Sequence, residues 1–224
     1  MIHDMNRRDF MKASAAATGA VLMTGTVVPA RAEELKPIPL QRPQPGSGNP
    51  LMQVLWKRQS ARQFSLEPLP VELLSNLLWA AFGINRPDGK RTAPSARNFQ
   101  ETDIYVLLKQ GTYVYSAQSN RLDLIVAEDM RVLGGTQAFV KDAPVTLVFV
   151  ADLAKMSKGS SEDKKNLANI DVGYISQNVY LFCASEGLVT GARAMVDRAA
   201  LGPKLKLRPD QMIVLAQSVG YPKP

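Results

Sequence analysis

The chain has 224 residues, a formal net charge of +7, one histidine and one cysteine. Because the histidine is His3, at the very start, the body of the chain has no histidine for a Ser-His or Cys-His hydrolase or for the common zinc, copper and iron sites. The single Cys183 excludes an internal disulfide and a thiolate metal cluster, and its apolar helical surroundings predict a small core residue. An enzyme of this composition therefore depends on an organic cofactor or on carboxylates alone, and we expect no metal.

The first 32 residues have the three-part pattern of a removable export signal. An adjacent pair, Arg7 and Arg8, precedes Phe10 and Lys12, residues 13–29 carry no charge, and Ala30-Arg31-Ala32 supplies small residues for cleavage. The stretch is too short and too rich in Ala, Thr and Gly for a spanning helix. We therefore expect a twin-arginine signal cleaved near Ala32, export to the periplasm, and no stable membrane anchor after cleavage.

The signal also bears on the ligand. The twin-arginine route carries folded proteins, often with a cofactor already loaded, although some cofactor-free proteins use it too. Without residues 1–32 the net charge falls to about +5, which suits an anionic ligand. Because the chain has no long basic block and no ladder of aromatic residues, we expect no nucleic-acid partner.

The remaining pattern predicts one α+β domain over residues 50–224, preceded by a Pro/Gly-rich linker or arm at 33–49. Helical spacing indicates helices near 50–57, 70–82, 129–141, 161–186 and 198–204. Runs rich in β-branched and aromatic residues indicate a hairpin of strands at 103–109 and 112–116, and further strands at 122–126, 145–150 and 212–219. Gly83 and Gly187 are expected to end the two longest helices.

Segment 58–62, at the end of the first helix, is the first candidate for chemistry. Arg58 and Arg62 can each grip a phosphate with two N–H groups, and Ser60 adds a hydroxyl. A solvated basic helix end would explain the same residues. Both readings stay open on composition alone.

The second candidate is the polar stretch 91–100, between a helix and the first strand of the hairpin. Pro94 stiffens it, while Ser95, Asn98 and Gln100 offer hydrogen-bond donors and acceptors to a planar polar group. An ordinary capping turn is the alternative.

The third candidate is the stretch 187–193, which directly follows the longest helix. Gly187 and Gly191 let the backbone approach a ligand and expose N–H groups to it, and Arg193 adds a cation. A Schellman-type helix end would equally explain Gly187.

Taken in order, these segments resemble the FMN-dependent nitroreductase family, in particular the branch of SagB-type and ThcOx-type dehydrogenases. The resemblance runs from about Leu51 to the C-terminus. Its best stretches are Arg58 to Phe64, Leu78 to Asn85, Thr92 to Asn98, Ser185 to Leu188 and Ser218 to Pro222. It implies a central, mostly antiparallel sheet flanked by helices, an intertwined homodimer, and FMN as the cofactor.

The resemblance also assigns roles to residues. Arg58, Ser60 and Arg62 would hold the FMN phosphate and ribityl chain, with Gln59 near the ribityl chain or the ring edge. Lys223 would take the place of a basic residue that grips the phosphate after the Gly-Tyr-Pro motif. The other expected cofactor-binding residues fall in two groups: Pro94, Ser95 and Asn98, which would reach the flavin across the dimer interface, and Gly191, Ala192 and Arg193, which would lie by the flavin N5 edge.

The resulting hypothesis is an exported FMN oxidoreductase that acts on a small molecule or a peptide, with the chemistry carried by the flavin. A periplasmic flavin-binding or accessory protein without turnover is the alternative. A hydrolase built on Glu101 and Asp103 is a third reading, but nothing in the sequence places another carboxylate opposite them.

Overall fold

The structure, a computed structural model, describes residues 35–43, 46 and 48–224. The predicted signal peptide, its cleavage site at Ala32 and part of the predicted arm lie outside these residues. The described helices are α1 (Leu51–Lys57), α2 (Val71–Phe82), α3 (Ser161–Ser185) and α4 (Arg198–Lys204). The strands are β1 (Ile38–Pro39), β2 (Thr102–Leu108), β3 (Gly111–Ser116), β4 (Arg121–Val126), β5 (Val145–Asp152), β6 (Val189–Arg193) and β7 (Gln211–Gly220).

The seven strands form one sheet in the order β1-β4-β3-β2-β5-β7-β6, and every neighbouring pair is antiparallel. Strand β5, between β2 and β7, is buried along its whole length, and its sequence is apolar except for Thr146 and Asp152. The observed α+β architecture with an antiparallel sheet confirms the predicted fold class.

Two apolar layers cover the two faces of the sheet. Helices α2 and α3 pack on one face, where Leu77 and Leu78 of α2 and Ile175 and Val179 of α3 are fully buried. Helix α4 packs on the other face, with Leu201 in its core. The buried Cys183 lies within the first layer, as predicted, and its burial raises the pKa of the thiol.

The longest helix, α3, is defined at both ends by local sequence. At its start Ser160 Oγ accepts the Asp163 N–H at 3.1 Å while the Asp163 carboxylate accepts the Ser160 N–H, which is a capping box. At its end Gly187 has a φ of +70° and the Leu188 N–H reaches the Cys183 carbonyl at 2.9 Å. This is the Schellman ending that the sequence allowed for Gly187.

Three local predictions differ from the structure. The helix predicted for 129–141 is wrong: the chain forms two short 3-10 turns, Arg131–Gly134 and Ala138–Lys141, because Gly134 and Gly135 interrupt it. No strand was predicted directly after Gly187, where Val189–Arg193 form β6. The arm contributes β1, whose Ile38 pairs with Leu122.

No helix in the described part of the chain combines the length and apolar character that a membrane crossing requires.

Candidate functional site

Segment 58–62 runs beside β6, which is an edge strand of the sheet. The Ala61 N–H donates to the Thr190 carbonyl at 2.9 Å, so the segment continues the backbone pairing beyond the edge. A Cβ placed on Gly191 would lie 2.7 Å from the Ala61 oxygen, closer than real contacts permit. Glycine at position 191 is therefore what lets segment 58–62 approach β6.

Tyr180 of α3 joins segment 58–62 to β6. Its hydroxyl lies 2.9 Å from Ser60 Oγ and accepts the Ala192 N–H at 3.0 Å, while the Arg58 guanidinium lies over its ring, 5.6 Å from the centroid. Ser60 and Ala192 are consequently both within hydrogen-bonding distance of one oxygen atom. The structure thus brings together the first and third of the predicted segments.

Sequence reasoning did not identify Tyr180 as part of this cluster. Its position fits the helical periodicity of α3, where an aromatic residue suggests packing rather than a polar contact. The available signal was weak: a tyrosine in an apolar stretch usually needs a partner for its hydroxyl.

Arg193 is buried against the turns that precede β5. Its Nε donates to the Gly134 carbonyl at 2.8 Å, its Nη1 donates to Ser218 Oγ at 2.9 Å, and the guanidinium lies 5.8 Å from the centre of the Phe139 ring. A Cβ on Gly135 would collide with Nε, so Gly135, one of the two glycines that interrupt the predicted helix, makes room for this side chain.

The Arg193 guanidinium is also short of partners. Only 8% of the residue is exposed, and Nη2 has no hydrogen-bond acceptor within the described residues. Burial lowers the pKa of Arg193 to about 10, which leaves it charged at neutral pH. A buried cation with a free N–H favours an acceptor that carries negative charge.

The C-terminal residues lie beside the chain that follows segment 58–62. Phe64, just after segment 58–62, pairs with Pro222, and the Ser65 N–H donates to the Tyr221 carbonyl at 3.0 Å. Pro222 and Gln59 line a cleft of ≈ 280 Å³ together with Tyr180, Gly187 and Thr190. The exposed Lys223 follows Pro222 directly, so its backbone lies at the rim of this cleft.

The second predicted segment forms a tight polar loop, which we call loop 94–100. Ser95 Oγ accepts the Gln100 N–H at 3.0 Å, and the Gln100 side chain donates to Asn98 Oδ1 at 3.0 Å. Arg97, Asn98 and Gln100 all have left-handed backbone conformations, with φ of 51°, 56° and 48°. Pro94 and Asn98 are exposed at its surface.

Loop 94–100 is anchored on α3 at Asp171, whose Oδ2 accepts the Ala96 N–H at 2.8 Å. Asp171 precedes Tyr180 by nine residues, which is about 14 Å along the helix axis. In a single chain the loop and the Tyr180 cluster therefore occupy different parts of α3.

The anchor contains a second carboxyl group, since Glu101 contacts Asp171. Both residues are buried, with 0% of Glu101 and 3% of Asp171 exposed, and burial raises the pKa of each carboxyl. Sequence reasoning found no carboxylate opposite Glu101 because the two positions are 70 residues apart, and β2 and α3 meet only in the fold. A fully buried pair offers no access to a substrate, which argues against the hydrolase reading.

No group of three or more potential metal ligands occurs in the described part of the chain. The Tyr180 cluster is instead rich in cationic and neutral hydrogen-bond donors, which suit an anionic organic ligand.

Comparison with known proteins gives the family. The model of the nitroreductase family matches residues 55–221, and the model of the twin-arginine translocation pathway signal sequence matches residues 4–24. A Methanocaldococcus jannaschii protein named as a nitroreductase, MJ1384, is 31% identical over 150 residues, which cover 62% of this chain and 76% of that protein.

Solved structures agree with this assignment. A Ralstonia eutropha JMP134 protein described as a nitroreductase superposes with a TM-score of 0.81 at 39% identity, over 85% of this chain and 91% of that one. A Desulfovibrio desulfuricans protein described as a nitroreductase in complex with FMN has the same fold, with a TM-score of 0.57 at 21% identity over 80% and 89% of the two chains. The chain belongs to the nitroreductase family and carries a twin-arginine signal sequence for export across the membrane.

Proposed function

We propose that this protein is an exported, FMN-dependent oxidoreductase that works as a homodimer in the periplasm. FMN supplies the redox chemistry, because its ring accepts a hydride or an electron pair from a donor and passes it to a small molecule or a peptide. The observation that carries the proposal is the Tyr180 cluster, in which one hydroxyl group lies between Ser60 and the Ala192 N–H of β6 while Arg58 lies over the ring; Arg62 follows in the same segment.

The residues present fit an FMN phosphate. Arg58 and Arg62 supply guanidinium groups, Ser60 supplies a hydroxyl, and Lys223 lies in the chain that returns beside them. None of the three cations has a salt-bridge partner within the described residues, so their charges are available to an anion. Gln59, which lines the adjoining cleft, suits the neutral hydroxyl groups of the ribityl chain.

Arg193 fits a second requirement, the negative charge that builds on a flavin ring when it is reduced. A buried guanidinium with an unpartnered N–H stabilises such charge more strongly than an exposed one, because little water competes for it. Gly191 and Ala192 place backbone beside it. In this proposal the Ala192 N–H donates either to the Tyr180 hydroxyl, as it does in the structure, or to the bound flavin.

The homodimer is supported by exposed apolar surface on α1. Leu51, Met52, Leu55 and Trp56 all project into solvent in the single chain, and 88% of Trp56 is exposed. Monomeric proteins rarely expose four neighbouring large apolar side chains. A partner subunit that covers α1 would also bring loop 94–100, with Pro94, Ser95 and Asn98, to the flavin of the other subunit.

The signal sequence supports a periplasmic location, with cleavage near Ala32. NAD(P)H is scarce outside the cytoplasm. The proposal therefore includes another reductant as the electron donor, or an oxidase-like reaction on an exported substrate.

An absorption spectrum of the protein expressed without residues 1–32 tests the proposal, recorded before and after anaerobic addition of NADPH. A flavin band that bleaches demonstrates a flavoprotein reduced by a nicotinamide. A flavin band that persists with NADPH but bleaches with dithionite indicates a different physiological donor. Protein that neither carries flavin nor binds added FMN would refute the proposal.

A further inference from the structure

Two buried carboxyl groups lie next to loop 94–100, and one of them accepts a hydrogen bond from it. Glu101 lies immediately before β2 and Asp171 lies in α3, and we call them the carboxyl pair. Asp171 Oδ2 accepts the Ala96 N–H at 2.8 Å, while Glu101 Oε1 accepts a bond of 3.4 Å from the Thr102 hydroxyl. Glu101 Oε2 is buried and finds no donor within the described residues.

A proton shared by the pair would satisfy this orphaned oxygen. Two ionised carboxylates in contact repel each other and offer four acceptors but no donor. When one of them is protonated, its O–H donates to the other, and the pair then carries a single negative charge. Asp171 is the member whose oxygen must remain an acceptor, because the Ala96 N–H depends on it.

We propose that Glu101 and Asp171 are positioning residues that hold one proton between them, and that this proton keeps loop 94–100 in the conformation that contacts FMN. The contact with FMN rests on the function proposed above, whereas the shared proton does not.

Loop 94–100 is a segment whose conformation needs such external support. Three of its residues, Arg97, Asn98 and Gln100, adopt left-handed backbone conformations that non-glycine residues seldom take. Strain of this kind persists only when surrounding contacts hold it in place. The Ala96 to Asp171 hydrogen bond is such a contact, and it enters the loop just before the strained residues.

Neighbouring charges do not neutralise the pair. The residues one turn before and one turn after Asp171 on α3 are uncharged, and Arg97 of the loop is exposed. The other charged groups on the elements packed around the pair are engaged elsewhere: Asp103 with Lys155, Asp152 with Arg208, and Arg91 with Gln100 and the Phe82 carbonyl.

The direction of the pH dependence follows from burial, which raises the pKa of both carboxyls. Unfolded carboxyl groups lose their protons near pH 4. Above that pH the folded protein still binds a proton that the unfolded chain has released. The free energy of unfolding therefore falls as the pH rises from the unfolded pKa towards the raised pKa of the pair.

Thermal unfolding of the purified protein, followed upward from about pH 4.5, just above the pKa of unfolded carboxyl groups, to about pH 8, tests the shared proton without reference to flavin. Glu101→Gln replaces the protonated carboxyl by an amide that still donates to Asp171. We expect the melting temperature of the wild type to fall with pH by about 3 °C per unit more than that of the variant. Asp103→Asn, a change of a partly exposed carboxylate two residues along the chain that pairs with Lys155 and not with Asp171, should keep the slope of the wild type. Equal slopes for wild type and Glu101→Gln would overturn the proposal.

FMN affinity of the same proteins tests the effect on the loop. Comparison of variants removes the ionisation of the FMN phosphate, which is common to all of them. The ratio of the FMN dissociation constants of wild type and Glu101→Gln should rise with pH, by up to about tenfold per unit. A constant ratio would overturn the link between the pair and the flavin. If neither protein binds FMN, the proposed function fails, while the melting curves still decide whether the proton is shared.

Discussion

Two parts of α3 support the candidate site in different ways. Near its C-terminal end Tyr180 collects residues from segment 58–62 and β6 into one cluster within the chain. Nearer its middle Asp171 holds a loop that lies about 14 Å away along the helix and presents exposed Pro94 and Asn98. The first region joins two segments within the chain, whereas the second is a surface loop held to α3 by one backbone-to-carboxylate hydrogen bond. This contrast is expected of a site in which the phosphate end is built by one subunit and part of the ring end by its partner.

The largest effect should come from removing both guanidinium groups of segment 58–62. Each charge-assisted contact to a phosphate is worth about 1.5–3 kcal/mol, so Arg58→Ala with Arg62→Ala should weaken FMN binding by roughly 100-fold or more. A fluorescence titration with FMN measures this. The matched control is Arg121→Ala. The Arg121 guanidinium pairs with Asp123 on β4, which lies near the opposite edge of the sheet from β6. Unchanged FMN affinity in the double variant would exclude segment 58–62 as the phosphate site.

The close approach at Gly191 should be the next most sensitive point. Gly191→Ala puts a Cβ 2.7 Å from the Ala61 oxygen, and the backbone of segment 58–62 has to move. Overpacking of this kind costs about 1–3 kcal/mol. We expect a lower melting temperature and weaker FMN binding together. Gly173→Ala on α3 is the control, since its Cβ meets open space, and it should leave the melting temperature equal or higher.

A smaller loss is expected from Tyr180→Phe. The change removes the hydroxyl that contacts Ser60 and Ala192 but keeps the ring beneath Arg58. One lost hydrogen bond with an unsatisfied partner costs about 1–2 kcal/mol, so FMN affinity should fall roughly tenfold. Tyr174→Phe, on the same helix and about half exposed, should have no effect. Equal affinities for the two variants would mean that the hydroxyl does not organise the site.

Mixed dimers of two variants can test whether loop 94–100 and segment 58–62 of one flavin site come from different subunits. One variant carries the two arginine changes, and the other carries Pro94→Ala, Ser95→Ala and Asn98→Ala in its loop. If loop 94–100 acts on the partner's flavin, either variant is impaired alone, but refolding them together yields hybrid dimers with one intact site. Random pairing then restores about a quarter of all sites, measured as tightly bound FMN. No recovery would place the loop and segment 58–62 at the same flavin.

Sequence reasoning found the main helices and strands and singled out three polar segments, because local apolar periodicity and turn-forming residues indicate them. It gave the bounds of α4 as the structure has them, and it placed the end of α3 at Gly187 for the right stereochemical reason. At 129–141, where the predicted helix is wrong, and after Gly187, where no strand was predicted, long-range contacts are involved: Arg193 lies beside Gly135, and the Ala61 backbone lies against Gly191.

The parts of the site that the sequence did not reveal depend on long-range contacts. Tyr180 meets Ser60 from 120 residues away, and Asp171 meets Ala96 from 75 residues away. Neither contact has a local signature, since nothing in the sequence next to Tyr180 or Asp171 identifies its distant partner. Such partners become visible only when the register of α3 on the sheet is known.

Segment 58–62 has a further consequence, which concerns aggregation. The two edges of the sheet are β1 and β6. An open edge strand can pair with the sheet of another molecule, but β1 is only two residues long and contains Pro39, which has no N–H to donate. On the other edge Ala61 already donates to the outward carbonyl of Thr190, and the Tyr180 hydroxyl takes the Ala192 N–H. The segment that carries the proposed phosphate-binding residues thus also covers part of the β6 edge, which limits the pairing of this edge with the sheet of another molecule.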